Sequence, residues 1–328
     1  MALLLARGEV ERLLSMEDAV EAVERAQVQS ARETAVLPLR LPTPVADAEG
    51  IHLMMPAYLP DEPVLGFKSA SAFRGNPERG LPLIDAIIVL LEPDTGRLLS
   101  VMDGVHITTV RTAAASAVAT RALAREDAAE LALIGAGVQA RSHLEAMVGV
   151  RPIRTVRAAA RSLESAQRFA EWARRARPQL TVEPVASARE AVEGADVICT
   201  VSTASEPVLR YEWLKPGCHV NGVGSHSPGA REIDGETMLR ARVAVDNRVA
   251  ALGECGDCMI PVAEGLFGEE HVSDEIGEIL IGAKPGRTDE RQITVYQSNG
   301  TAAQDVVTAK IVYERARARG IGSAIELG

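Results

Sequence analysis

The most informative residues of this sequence form a glycine motif near its middle, of the kind that binds phosphate. An apolar run at residues 131–134 leads into Gly-x-Gly-x-x-Ala, a pattern in which the first glycine permits a tight turn and the second lets the backbone approach phosphate oxygens. The small sixth residue lets the following helix pack on the strand, and the amides at its N-terminus face the anion. The motif therefore predicts a dinucleotide site with these ligands: Gly135, Gly137, Val138, Gln139 and Ala140.

The elements that position this motif alternate between strands and helices. After the first strand, helical apolar spacing at 139–150 is followed by a second strand at 153–160 and a second helix at 163–176. Further strands are predicted at 181–185, 195–202, 218–223, 241–246 and 293–297, with a short helix at 188–192. This alternation predicts an α/β fold with a doubly wound parallel sheet of the Rossmann type.

Two domains are predicted, with the sheet domain at 119–304 inserted into a discontinuous α+β domain at 1–118 and 305–328. The first part of the chain is rich in proline and short apolar runs, which is typical of a substrate domain. A helix is predicted to follow Ser15, where Asp18 favours a helix start, and another at 301–319, ending at Gly320. We expect this last helix to pack against the first domain.

Composition narrows the class of protein. The chain has 328 residues, of which 24% are charged. Its formal net charge of −10 argues against a nucleic-acid-binding surface. No apolar run approaches the length of a bilayer span, so we expect a cytoplasmic protein. Of the four cysteines, Cys255 and Cys258 form one Cys-x-x-Cys pair without a second pair or a histidine at zinc-finger spacing. We therefore assign neither a metal nor a disulfide.

The end of the second predicted strand bears on the choice of cofactor. NAD sites commonly carry a carboxylate there for the ribose 2′-hydroxyl, whereas this chain reads Ala159-Ala160-Arg161-Ser162. Arg161 and Ser162 offer a cation and a hydroxyl for a 2′-phosphate, so NADP(H) is preferred. NAD(H) stays possible, because Arg161 can also be read as an exposed residue at a helix start. Nicotinamide contacts are expected at later strand ends: Thr200, Val201, Ser202, Val223 and Gly224.

Several further motifs occur in a fixed order along the chain. They are Gly66-Phe67-Lys68, Gly75-Asn76-Pro77-Glu78-Arg79-Gly80-Leu81-Pro82, Met102-Asp103-Gly104, Arg111-Thr112-Ala113-Ala114-Ala115-Ser116 and Pro228-Gly229-Ala230-Arg231-Glu232-Ile233-Asp234. Together with the glycine motif, they make the chain resemble the ornithine cyclodeaminase/μ-crystallin family over nearly its whole length. The resemblance implies a dimeric two-domain protein that uses NAD(H) or NADP(H) on amino acids or their cyclic imines.

The same resemblance implies roles for four residues. Arg40, Lys68 and Arg111 match substrate-carboxylate ligands of the family, and Thr112 lies where the cofactor phosphate is met. A guanidinium can grip a carboxylate through two parallel hydrogen bonds, and a partly buried lysine can donate a proton. Lysine and arginine are more often solvated surface charges, but Lys68 and Arg111 lie among apolar or small residues.

Two departures from the family pattern bear on the reaction. Ornithine cyclodeaminases place a carboxylate just before Met-Pro to hold the distal amine of the substrate, and the matching residue here is Leu53. They also carry a catalytic aspartate where this chain has His226. An unpaired ammonium in a pocket would cost several kcal/mol, so a diamino acid is disfavoured. His226 could orient substrate or relay a proton, or could be a histidine with no catalytic part.

We therefore predict reduction of a small cyclic or linear imino acid, of the Δ1-pyrroline-2-carboxylate or Δ1-piperideine-2-carboxylate type, to the amino acid. In this hypothesis Lys68 keeps the imine protonated and helps to hold its carboxylate while reduced nicotinamide supplies hydride. Three alternatives stay open: an alanine dehydrogenase, a cofactor-neutral lyase such as a cyclodeaminase or hydroxyproline dehydratase, and a crystallin-like protein that binds NADP(H) without turnover.

Overall fold

The computed structural model describes residues 1–326, which fold as two compact units. One unit is Met1–Arg111 together with the chain from Thr301 onward, and the other is Thr112–Gly300. The divisions fall seven and four residues before the positions predicted from the sequence. The difference has a local cause, because the first division lies inside a continuous helix, Gly104–Leu123, where no glycine or proline marks a boundary.

The first unit is built on a mixed sheet. Its elements are β1 (Ala2–Leu5), α1 (Arg7–Leu13), α2 (Met16–Ala31), β2 (Leu41–Val45), β3 (Gly50–Leu59), β4 (Val64–Phe73), β5 (Ile84–Leu91), β6 (Leu98–Asp103), the start of α3 (Gly104–Leu123), α11 (Ala302–Arg319) and β15 (Ser323–Ile325). The strand order is β15-β1-β6-β5-β4-β3-β2, and all neighbours are antiparallel except β1 and β6.

Strand register gives this sheet a helix-covered face and an open face. Met55, Lys68 and Ile88 are register partners on β3, β4 and β5, and all three are buried. Gly66 lies on the same face as Lys68, because side chains alternate along a strand. A Cβ on Gly66 would lie 3.3 Å from Val306 of α11. The face that carries Lys68 is therefore the one on which α11 packs.

The predicted start of α2 and the predicted end of α11 are confirmed by their caps. Ser15 accepts a hydrogen bond from the Asp18 amide (3.2 Å), and Gly320 closes α11 in the left-handed conformation, with φ +63°. The two helices pack together and are joined by Arg315, whose guanidinium donates to both oxygens of Asp18 at 2.6 Å. This contact lowers the pKa of Asp18.

The second unit contains the predicted parallel sheet. Its elements are β7 (Glu130–Ile134), α4 (Val138–Val150), β8 (Thr155–Ala159), α5 (Leu163–Ala176), β9 (Thr181–Pro184), α6 (Ala188–Val192), β10 (Val197–Thr200), β11 (His219–Gly222), α7 (Gly235–Arg240), β12 (Arg242–Val245), α8 (Arg248–Glu254), α9 (Gly256–Ala263), β13 (Asp274–Glu275), α10 (Ile276–Leu280) and β14 (Thr294–Gln297). The strand order is β13-β12-β14-β11-β10-β7-β8-β9.

This strand order reverses direction between β7 and β10. The chain proceeds outward from β7 through β8 to β9 and then returns to β10 on the other side of β7. Open parallel sheets bind ligands at such a switch point, outside the carboxyl ends of the strands. The fold therefore places the loops after β7 and β10 at the expected ligand-binding edge.

Arg151 secures the ends of α3 and α4 within the second unit. Its Nη2 donates to the carbonyl oxygens of Thr120, Arg121 and Ala124, its Nη1 to Val150 and its Nε to Arg125. The last carbonyls of a helix have no partner inside the helix, and a cation there is favourable.

We expect Arg151→Ala to lower the free energy of unfolding by about 2 to 4 kcal/mol, because five carbonyls, most of them partly buried, lose a charged donor together. Urea denaturation measures this effect, and Arg154→Ala, at an exposed arginine three residues away, serves as the matched control. Equal stability losses in the two variants would contradict the capping role of Arg151.

Helix composition and cysteine burial are two further features of the fold. Over residues 1–326, no helix combines the length and the apolar character that crossing a membrane requires. All four cysteines are free thiols with buried side chains. Burial raises the pKa of Cys199 and of Cys218 to about 12, so both behave as small apolar residues at neutral pH.

Candidate active site

A buried cluster of opposite charges lies in the first unit. Asp305 is fully buried, and its Oδ2 lies 2.7 Å from Lys68 Nζ while its Oδ1 accepts a hydrogen bond from Arg111 Nε at 2.8 Å. Arg111 Nη1 donates to Gln304 Oε1 at 3.2 Å. One carboxylate thus orients both cations, and Gln304 also fixes the plane of the guanidinium.

Three elements bring this cluster together. Lys68 lies on β4, Arg111 on α3 and Asp305 in the first turn of α11. Gly66 lies where both a strand and α11 approach β4, since a Cβ there would lie 2.4 Å from the Val89 carbonyl oxygen of β5 and 3.3 Å from the Val306 side chain of α11. The absence of a side chain at Gly66 therefore relieves crowding beside the contact between Asp305 and Lys68.

The cluster carries an excess of positive charge. Arg40, half-buried before β2, lies close enough to Lys68 to lower the pKa of the lysine, as does Arg111. With Lys68 protonated, Lys68, Arg111 and Asp305 already sum to a charge of +1. Such a group is complementary to an anionic ligand, and arginine binds carboxylates through two parallel hydrogen bonds.

Burial decides how these groups titrate. It lowers the pKa of Lys68 to about 8, against the attraction of Asp305. Burial alone would raise the pKa of Asp305, but Arg111 and Lys68 hold it below its usual value. The cluster therefore keeps an ionised carboxylate beside a lysine that can lose its proton slightly above neutral pH, which suits an acid catalyst.

Asp305 and Gln304 were missed by the sequence analysis. The available signal was a charged residue within an apolar stretch of the last helix, between Ala303 and Val306. An acid in the first turn of a helix is explained equally well by the helix dipole. Only the packing of α11 on the face that carries Lys68 brings Asp305 into contact with the lysine.

Leu53 lies on the face of the sheet that carries Lys68. It pairs with Ala70 in the register where Met55 pairs with Lys68, and alternate residues of a strand share a face. Its side chain is half-buried. An apolar group beside the cluster offers no partner to a second ammonium on a ligand.

The glycine motif of the second unit has the geometry of a phosphate cradle. Gly135 has φ +120°, and a Cβ there would lie 2.6 Å from the Val201 carbonyl oxygen. Gly137 begins α4 without any side-chain cap, and in the described chain nothing lies within 4 Å of where its Cβ would be. Open space and uncapped helix amides are what an anion needs, so these residues fit a dinucleotide pyrophosphate. Ala140 is buried, whereas Val138 is exposed and Gln139 half-buried.

The strand ends expected to meet the nicotinamide are brought together. Thr200 ends β10 and is followed by Val201 and Ser202, and Val223 and Gly224 follow β11, the direct neighbour of β10. The two strand ends share one acceptor, Glu232, whose carboxylate accepts hydrogen bonds from the Ser202 amide (2.8 Å) and the Gly224 amide (2.7 Å). The sequence assigned this glutamate no role beyond its place in the Pro228–Asp234 motif.

The other expected ligands differ in exposure. Arg161 is exposed and directly precedes Ser162, which caps α5 by accepting a hydrogen bond from the Ser165 amide at 3.3 Å. Thr112 is buried in α3, at the first position of the second unit. His226 is exposed in the loop two residues beyond Gly224.

The chain is similar to known proteins over almost its whole length. Residues 2–320 match the model of the ornithine cyclodeaminase/mu-crystallin family. The chain is 36% identical over 327 residues to a Δ1-pyrroline-2-carboxylate reductase of Bacillus cereus (strain ZK / E33L), covering 99% of both chains.

Two solved structures are also similar over almost the whole chain. One is the Δ1-pyrroline-2-carboxylate reductase of Thermococcus litoralis in complex with NADH and L-proline, with 40% identity, a TM-score of 0.96 and coverage of 98% and 100% of the two chains. The other is an archaeal alanine dehydrogenase dimer with bound NAD, with 35% identity, a TM-score of 0.94 and coverage of 100% and 99%. The chain belongs to the ornithine cyclodeaminase/mu-crystallin family.

Proposed function

We propose that this protein uses reduced nicotinamide dinucleotide to convert a small cyclic imino acid, of the Δ1-pyrroline-2-carboxylate or Δ1-piperideine-2-carboxylate type, into the amino acid. The observation that carries the proposal is the buried cluster of Lys68, Arg111 and Asp305, whose excess positive charge suits a carboxylate. Relatives of matching length reduce Δ1-pyrroline-2-carboxylate, and one of them has been solved with NADH and L-proline.

Each residue of the cluster has a separate task in this reaction. Arg111 and Arg40 bind the substrate carboxylate, which fixes the position of the neighbouring C=N carbon. Lys68 Nζ donates its proton to the imine nitrogen, and the resulting iminium is the stronger electrophile. The bound dinucleotide supplies the hydride. Asp305 keeps Lys68 protonated, and the lysine regains its proton from water after product leaves.

Leu53 narrows the class of substrate. A diamino acid would place its distal ammonium where Leu53 offers no acceptor, and leaving that charge unpaired costs several kcal/mol. A ring without a second charge has no such penalty. The second candidate reaction is the interconversion of alanine with pyruvate and ammonia, since one relative of matching length is an alanine dehydrogenase.

Absorbance of reduced nicotinamide at about 340 nm tests the proposal. We expect purified protein to consume it with Δ1-pyrroline-2-carboxylate or Δ1-piperideine-2-carboxylate, and more slowly with pyruvate and ammonia. L-Ornithine is the contrasting substrate, and ammonia release without net cofactor change would indicate a cyclodeaminase instead. Dinucleotide binding without turnover of any substrate would favour a binding protein.

Arg161 and Ser162 support a preference for NADP(H), although the two solved relatives carry NADH and NAD. An exposed guanidinium at the start of α5 can bind a 2′-phosphate. We expect Arg161→Ala to raise the KM for NADPH about tenfold, the loss of roughly one charge-assisted hydrogen bond, and to leave the KM for NADH within about twofold. Arg168→Ala, at an exposed arginine of α5, is the control. Equal KM values for NADPH and NADH in the wild-type protein would contradict the proposed preference for NADP(H).

The open face of the first sheet supports a homodimer. Leu41, Met54, Ser69 and Ile87 are register partners across four adjacent strands, and they form one row on the face away from α11. Leu41 is 64% exposed and Ile87 is 44% exposed. Apolar side chains on an open sheet face are a common site of subunit contact, and the archaeal alanine dehydrogenase is a dimer.

We expect light scattering to give the mass of a dimer, and Leu41→Glu combined with Ile87→Glu to give a monomer at micromolar concentration, because two charges would be buried without partners. Val249→Glu, at a 61% exposed valine in the second unit, is the matched control. A dimer that survives the double substitution would place the interface elsewhere.

A further inference from the structure

One fully buried carboxylate in the second unit makes no contribution to the reaction described above. Glu232 is 0% exposed, and its Oε1 accepts hydrogen bonds from both the amide and the hydroxyl of Ser202. Its Oε2 accepts a hydrogen bond from the Gly224 amide at 2.7 Å. A single side chain thus connects the loop after β10 to the loop after β11.

The backbone of Glu232 is held as firmly as its side chain. Its amide and that of Ile233 both donate to Asp257 Oδ1, at 2.7 and 3.0 Å. Its carbonyl oxygen accepts hydrogen bonds from the amides of Val208 and Leu209, at 2.8 and 3.0 Å. Since every polar group of Glu232 has a protein partner, the carboxylate cannot move without breaking several hydrogen bonds.

The two loops also converge sterically. A Cβ on Gly224 would lie 2.3 Å from Glu232 Oε2 and 2.5 Å from the Ser202 carbonyl oxygen. Glycine at position 224 therefore lets its backbone reach the carboxylate. At the other side of the same edge, the Val201 carbonyl oxygen approaches Gly135 of the phosphate cradle, so one continuous surface runs from the cradle to Gly224.

The contacts of Glu232 depend on its being a pure acceptor. Three donors point at its two oxygens, and they offset much of the cost of burying the charge. Burial raises its pKa, but these hydrogen bonds oppose the rise. A glutamine would fill the same volume and present an NH₂ group to one of the donors, so one of the two connections would be lost.

We propose that Glu232 is a positioning residue that sets the spacing between the Ser202 and Gly224 loops, and thereby shapes the surface that receives the nicotinamide half of the dinucleotide. This role of Glu232 rests on the proposed function in one respect, namely that the protein binds a nicotinamide dinucleotide. Glu232 acts through the two loops and not by touching the reacting atoms. The adenosine and pyrophosphate half is bound by the glycine motif, which Glu232 does not contact in the described chain.

Binding of whole and truncated ligands tests this division. We expect Glu232→Gln to weaken binding of NADH or NADPH at least about tenfold, because a buried donor is left unsatisfied at the loops. Binding of ADP-ribose, which lacks nicotinamide, should stay within about twofold of wild type. Both constants come from calorimetric titration without imino acid, so they are independent of turnover.

Ser205→Ala, in the same segment of chain but outside the Glu232 contacts, is the matched control and should bind both ligands normally. Equal weakening of the dinucleotide and of ADP-ribose would indicate general damage to the sheet edge and would overturn the proposal. Unchanged dinucleotide binding in Glu232→Gln would overturn it as well. If wild-type protein binds the dinucleotide but reduces no imino acid, the proposed reaction fails while this comparison still decides the role of Glu232.

Should Glu232→Gln fold poorly, Ser202→Ala provides a milder test. It removes the hydroxyl donor to Glu232, together with the hydrogen bond that Ser202 Oγ accepts from the Ala204 amide at 3.1 Å, and leaves the amide contact of Ser202 in place. We expect it to weaken dinucleotide binding by about threefold, a fraction of one hydrogen bond to a charged group, again without effect on ADP-ribose. No change in either ligand would contradict the proposal.

Discussion

Lys68→Met will lower kcat/KM for imine reduction by at least about a thousandfold while binding of the reduced dinucleotide persists. The substitution removes the proton donor to the imine nitrogen, and general acids contribute about a hundredfold to ten-thousandfold to rate. Methionine has a similar length, so packing on β4 is largely kept, and Arg111 still pairs with Asp305. Steady-state rates and a dinucleotide titration measure the two effects separately.

Lys310→Met is the matched control for this variant. Lys310 lies on α11, five residues beyond Asp305, where its ammonium pairs with Glu314 at 3.6 Å. We expect its activity to equal that of wild type. Near-normal turnover in Lys68→Met would remove Lys68 from the mechanism, and loss of dinucleotide binding would make its effect structural.

The pH dependence of the wild-type protein follows from the same residue. Burial places the pKa of Lys68 near 8, and only the protonated form can donate, so kcat/KM should be constant below this value and fall up to tenfold per pH unit above it. A bound carboxylate favours the charged lysine, so the corresponding fall in kcat should come at higher pH. A profile that rises through pH 8 to 9 would contradict a donor role.

Asp305→Asn will have the second large effect. Without the carboxylate, Lys68 and Arg111 remain buried beside each other with no counter-charge, and loss of one partner of a buried pair costs about 3 to 5 kcal/mol of stability. The pKa of Lys68 should fall further, because Asp305 is the charge that raises it. We therefore expect kcat/KM at pH 8 to fall at least about a hundredfold and its alkaline limb to move about one unit toward acid.

The shift of the pH profile distinguishes this role from simple instability. Asp18→Asn, which breaks the half-buried pair with Arg315 in the same unit, should lower stability without moving the alkaline limb. If Asp305→Asn is unfolded by circular dichroism, Asp305→Glu keeps the charge and should keep the limb within about half a unit of wild type. An unmoved limb in a folded Asp305→Asn would contradict the pairing of Asp305 with Lys68.

The parallel sheet and its glycine motif could be predicted because their signals are local. Apolar runs, the Gly135 turn and the caps at Ser15 and Gly320 each report on a few neighbouring residues, and backbone sterics and hydrogen bonding fix the outcome. The predicted boundary at residue 118 and the division after Arg111 both fall inside α3, where the local sequence continues as a helix.

The partners of the cluster could not be predicted, because they depend on contacts between distant parts of the chain. Asp305 lies 194 residues from Arg111, and its meeting with Lys68 requires α11 to pack on β4 over Gly66. Glu232 likewise reaches a loop 30 residues away, and its motif carries no sign of that partner. The roles of Arg161 and His226 stay predictions, because both side chains are exposed in loops, where the surrounding protein does not fix a function for them.

The most direct test of the central claim follows the hydride itself. Reduced dinucleotide carrying deuterium at the transferable position of nicotinamide C4 is offered with Δ1-pyrroline-2-carboxylate, and the product is examined by mass spectrometry and proton NMR. We expect proline with one deuterium at Cα, formed in equal amount to the oxidised dinucleotide. Proline without deuterium at Cα, or oxidation of the dinucleotide without proline, would contradict hydride transfer to the carbon next to the carboxylate.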